Sequence, residues 1–122
     1  MKTSFITMFM QLQQQVRIFH WQTNHYARHQ AYGSFYEDLD DLIDAFVEAY
    51  MGKYGRVRLG QQTGILVKDM DQVDIPTFIN DATQFLLGLT NQLDSAADTD
   101  LLNIRDEMLQ LLNKLKYLLT LK

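Results

Sequence analysis

The chain has 122 residues, 47% apolar and 21% charged, with one proline and no cysteine, a length that favours one domain over residues 1–122 burying roughly two thirds of its unfolded surface. Without cysteine there is no disulfide scaffold, thiolate metal site or cysteine nucleophile, so stability must come from packing, metal ions with N and O ligands, or oligomerisation. No apolar run approaches the roughly 18 residues of a membrane span, and a net charge of −4 attracts neither nucleic acid nor an anionic membrane.

In chain order, Phe5, Phe9, Leu12, Val16 and Phe19 recur at spacings of three and four and predict a helix of about 20 residues with Ser4 as its cap. Its other faces carry Gln11, Gln13, Gln14 and Gln15 in place of lysine and glutamate. Such a neutral polar face suits either burial against a partner or plain solvation. Thr23-Asn24 is the expected turn. A second helix follows from Tyr26 to Met51, with Phe35, Leu39, Leu42, Ile43, Phe46 and Tyr50 inward and Gly52 and Gly55 as its stop.

Residues 52–75 lack helical periodicity and hold four of the six glycines, which predicts a long connection instead of a tight turn. Fully extended, it spans a helix of about 38 Å and returns the chain to the starting end of the bundle. Pro76 opens a third helix that ends near Ser95, with Phe78, Ile79, Ala82, Phe85, Leu86, Leu89 and Leu93 inward. The last helix follows Asp98-Thr99-Asp100 and turns Leu101, Ile104, Met108, Leu111, Leu115 and Leu118 to the core. The fold class is therefore all-α, a ferritin-like four-helix bundle with one long crossover between helices 2 and 3.

Charge and histidine are unevenly placed. Residues 1–36 contain no acidic residue, whereas residues 37–48 hold six carboxylates and no base. The pairs Glu37 with Asp41, Asp40 with Asp44 and Asp44 with Glu48 each cost roughly 0.2–0.5 kcal/mol on a helix. Bound cations would relieve them, and Asp44 and Glu48, one turn apart, suit a hard or borderline cation. His20 and His29 flank the turn, so a helical hairpin brings both to one end, with His25 in the turn itself. Asp44 lies about 22 Å beyond His29 on a straight helix, too far for one metal ion. Antiparallel twofold pairing of second helices would bring the imidazoles of one chain to the carboxylates of the other, with the axis near Glu37. Gly33 would permit close backbone approach there.

The pattern His20-Trp21, seven residues, His29, fourteen residues, Asp44, three residues, Glu48 resembles the ferroxidase signature of the Dps proteins, or mini-ferritins. The resemblance implies a shortened, phage-encoded or cellular relative, in the cytoplasm of a bacterial or phage-infected cell. It implies metal-binding and catalytic roles for His20, His29, Asp44 and Glu48, with Asp41, Glu37 and His25 as accessory ligands. Iron, as Fe2+ oxidised to Fe3+ by peroxide or dioxygen, would be substrate and stored product, with zinc or manganese as substitutes. A twofold homodimer and a higher homo-oligomer, up to the family's twelve-subunit shell, would be the assembly. DNA binding is not expected, since the first helix begins almost at once without a basic tail.

The competing expectation is a metal-free helical oligomer, structural or interacting, whose acidic stripe faces solvent. No phosphate loop, nucleotide fingerprint or serine triad is present.

Overall fold

Four α-helices carry the chain in the computed structural model, which describes residues 4–60 and 63–122 (the main chain only at Ser4), and no strand occurs among them. They are α1 (Ser4–Gln22), α2 (Tyr26–Tyr54), α3 (Ile75–Gln92) and α4 (Thr99–Leu118), with a short 3₁₀ turn at Met70–Gln72. The cap expected from the Ser4 side chain lies outside the described residues.

α1 buries its predicted stripe, Phe5, Phe9, Leu12, Val16 and Phe19. It ends at Gln22, and α2 starts after the extended His25, so the break falls at the expected turn. α2 runs one turn further than the glycines suggested. Gly52 stays helical, and Gly55, at φ 91°, terminates the helix with its N–H on the Met51 carbonyl at 2.8 Å. Only a residue without Cβ takes that conformation cheaply. Asp74 caps α3 by accepting the Thr77 amide at 3.2 Å, with Pro76 in the first turn, where a missing N–H costs nothing.

The helices share one core. α2 packs between α1 and α4, α3 packs on α4, and ring pairs Phe9–Phe85 and Phe19–Phe78 connect α1 to α3. α1 and α4 run toward the Thr23-Asn24 end, while α2 and α3 run away from it. Because α2 and α3 are parallel, the connection must travel the length of the molecule, as its composition implied. One helix is rotated from expectation: α4 buries Arg105 and Leu112, leaving Ile104 and Leu111 half-buried. The Arg105 guanidinium is satisfied by the Leu86 carbonyl at 2.9 Å, Thr90 Oγ1 at 2.8 Å and Asp106 at 2.8 Å. A paired guanidinium tolerates a place that pattern reading reserves for an aliphatic.

The neutral face of α1 has an intramolecular partner. Gln11 Oε1 accepts the Leu66 amide at 2.8 Å, and Gln15 both accepts the Lys68 amide and donates to the Lys68 carbonyl, each at 2.9 Å. Gln22 then takes the Met70 amide at 2.6 Å and reaches Asp69 at 2.9 Å. The crossover thus lies along α1 as an extended strap. Four helical residues advance about 6 Å and two extended residues about 6.6 Å, so glutamines at i and i+4 meet main-chain groups at j and j+2. Gln13 instead faces α2, donating to Asp40 at 2.7 Å and to the Tyr36 carbonyl at 3.3 Å. Between strap, α1 and α3 lies a groove of about 420 Å³, floored by Leu12, Phe78, Ala82 and Phe85.

Gln15→Ala leaves both main-chain groups of Lys68 without their partner, and a loss of about 1–3 kcal/mol is expected. Thermal unfolding should show it as a melting temperature lower by about 5–10 °C, whereas Gln14→Ala should stay within about 0.5 kcal/mol of the parent.

Candidate functional site

At the hairpin end the two predicted imidazoles meet. His20 and His29 stack with ring centroids 3.8 Å apart and planes 16° from parallel. His20 Nδ1 lies 2.7 Å from the His29 carbonyl and His29 Nδ1 lies 2.8 Å from the His20 carbonyl. A carbonyl only accepts, so each Nδ1 carries hydrogen and donates, and in the uncharged ring Nε2 is the remaining acceptor. Tyr36 meets the His20 ring edge-on at 5.3 Å, and the Arg17 guanidinium sits 4.5 Å over Tyr36. The pair closes the hairpin through two reciprocal bonds between segments nine residues apart.

Gly33 is required by that closure. A Cβ at this position would lie 2.9 Å from His20 Cε1 and 3.0 Å from Nδ1, so α2 offers the imidazole a flat seat. Gly33, expected to let two second helices approach, makes room instead for a side chain of the same molecule.

The remaining predicted residues stand apart from the pair. Asp44 and Glu48 lie exposed on α2 with Glu37 and Asp41 along the same helix, and the unbroken α2 keeps Asp44 about 22 Å from His29. His25 is exposed in the turn and makes no side-chain cap. Among the described residues of one chain, no three histidine, aspartate or glutamate side chains converge as a metal site would require.

A polar cluster that spacing did not reveal lies at the opposite end. Lys53 donates to the Ala97 carbonyl at 2.7 Å, Asp98 at 3.2 Å and Asp100 at 2.8 Å, and the Tyr54 hydroxyl donates to Asp98. Asp98, only 2% exposed, also accepts the Asp94 amide at 2.8 Å. Asp94 accepts the amides of Ala96 and Ala97. These bonds account for the extra turn of α2, because Lys53 and Tyr54 must be helical to grip the loop before α4. The only available signal was Lys53 itself, the sole lysine or arginine between Arg28 and Arg56.

Burial pushes the Asp98 carboxyl up, but the bonds from Tyr54, the Asp94 amide and Lys53 outweigh it and hold the group below the usual carboxylate range. The Lys53 bond likewise lowers Asp100, and the Ala97 and Ala96 amides lower Asp94. A carboxyl depressed in the folded state stabilises above its unfolded value and loses that contribution as pH falls through the folded one.

Two variants test these clusters. Gly33→Ala should destabilise by about 1–3 kcal/mol, and in chemical denaturation its effect should shrink when His20 is also alanine, since the two changes share one contact. Asp98→Asn should lower the melting temperature at pH 7, and the gap to the parent should narrow below about pH 4.

Comparison with known proteins gives a different family from the one the histidine and carboxylate spacing suggested. A protein of Enterobacteria phage T4, the uncharacterized 14.6 kDa protein in the mobD-ri intergenic region, is 51% identical over 37 residues, covering 30% of this chain and 29% of that protein. The match thus spans under a third of that relative's length. No solved structure matches. A family model of unknown function, DUF5856, matches residues 20–119, a span that includes His20, His29, Asp44 and Glu48. The likeness to Dps proteins is therefore overturned: a spacing of four residues is satisfied by a sequence of other descent, whose two histidines bond each other's backbone. The chain belongs to the family of unknown function DUF5856.

Proposed function

We propose that this protein is a metal-free helical interaction protein that self-associates. The observation that carries the reading is the engagement of its chemistry-bearing side chains. His20 and His29 bond each other's main chain, the α1 glutamines bond the strap, and Lys53 with Asp98 bonds one helix end to the next loop. These groups are occupied in joining segments, and the exposed carboxylates Glu37, Asp41, Asp44 and Glu48 stand apart from the imidazoles within one chain.

What remains outward is suited to contacts. Trp21 is 65% exposed, Tyr26 76% and Tyr117 61%, and all three lie at the hairpin end, where α1 and α4 finish and α2 begins. Large aromatics supply most of the energy at protein interfaces because they bury much area at little entropic cost. No described helix is long and apolar enough to cross a membrane. We read the fold as a ferritin-like four-helix bundle, a reading supported by parallel α2 and α3 joined by one long crossover.

Light scattering on the purified protein should give a mass above the 14.3 kDa of one chain. Melting curves with and without Fe(II), Zn(II) or Mn(II) should coincide, since only an ion bound by the folded state raises the melting temperature. A monomer at every concentration, or a metal-dependent rise, would overturn the proposal.

A further inference from the structure

We propose that residues 63–69 of the strap form an open strand edge that pairs antiparallel with the same segment of a second copy. This deepens the self-association proposed above and rests on it. Leu66 gives its amide to Gln11, and Lys68 directs both its amide and its carbonyl to Gln15. In an extended chain the main-chain groups of alternate residues point to opposite edges. Ile65 and Val67 must therefore turn theirs away from α1. There, among the described residues, neither makes a hydrogen bond.

Side chains confirm the alternation. Leu66 and Lys68 line the groove toward α3, while Ile65 and Val67 do not. Three consecutive apolar residues, Ile65, Leu66 and Val67, are exposed, with Leu66 at 64%. An exposed apolar edge with unpaired amides is a template for another strand, which folded proteins normally blunt with charge, proline or a bulge. Here none of these stands between Thr63 and Val67.

The second copy is favoured as the occupant because the edge is complementary to itself. With the twofold axis at Leu66, Ile65 exchanges both main-chain bonds with the partner's Val67, and Val67 does the same with the partner's Ile65. Gly64 then faces the partner's Lys68 and Thr63 faces the partner's Asp69, so no like charges oppose. Pairing through α2 about an axis within the Glu37 to Glu48 stripe would set carboxylate against carboxylate, and the imidazoles that an axis near Glu37 would bring to that stripe already bond each other's main chain, which makes the strap the better contact.

Val67→Pro tests the edge without touching the bonds to α1. It deletes only the outward N–H and restricts Leu66 to extended backbone, and no non-glycine residue here has positive φ. Analytical ultracentrifugation should show self-association weakened at least about ten-fold, with the helical circular dichroism retained. In the unsubstituted protein, amide exchange by NMR should slow at Ile65 and Val67 as concentration rises, while Leu66 and Lys68 stay protected throughout. That exchange pattern decides the matter should the proline variant misfold. An oligomer that exchanges rapidly at Ile65 and Val67 overturns the strand edge and leaves self-association standing. A monomer at every concentration overturns both.

Discussion

The bond pair between Gln15 and the main chain of Lys68 is the constraint on which the rest of the arrangement depends. A parallel α2 and α3 need a connection as long as the molecule, and an extended segment of that length has no internal hydrogen bonds to hold it. Its amides and carbonyls must find partners or remain in water. A helix cannot offer main-chain groups for this, because its own ladder uses them. Glutamine supplies a substitute, since its primary amide carries a donor and an acceptor side by side and mimics a neighbouring strand. Lysine or glutamate at these positions would offer one half of that pairing and add a charge to be desolvated.

The same logic operates at both ends. At the turn, His20 and His29 each donate to the other's carbonyl, and their stacked rings rest on Gly33. At the far end, Lys53 and Tyr54 converge on a buried Asp98. In each case a polar side chain satisfies main-chain or charged groups of a segment that has no regular structure of its own. The unmet hydrogen-bonding capacity of a helix terminus or a loop is satisfied by a specific partner, and apolar packing between α1, α2 and α4 supplies the bulk of the burial.

This distribution bears on what the protein does. Asp44 and Glu48 lie in the open on α2, separated from the imidazoles by the length of an unbroken helix. The six carboxylates of that stretch repel one another and keep other acidic surfaces away. The surfaces proposed for contact, the aromatic hairpin end and the strap, lie outside that acidic stretch.

By itself the sequence determined the number of helices, the turn at Thr23-Asn24, the long crossover, and most of the buried positions on α1, α2 and α3. All of these follow from the spacing of apolar residues and the placement of glycine and proline, which act over a few residues. Tertiary structure alone decided the rest: that Gln15 serves Lys68 across 53 positions, that Lys53 serves Asp98 across 45, that Arg105 occupies the core face of α4, and that the histidines face one another. Periodicity says which side of a helix is inward, but a polar side chain takes its role from whichever unpaired group the fold brings within reach, and that group can lie anywhere in the chain.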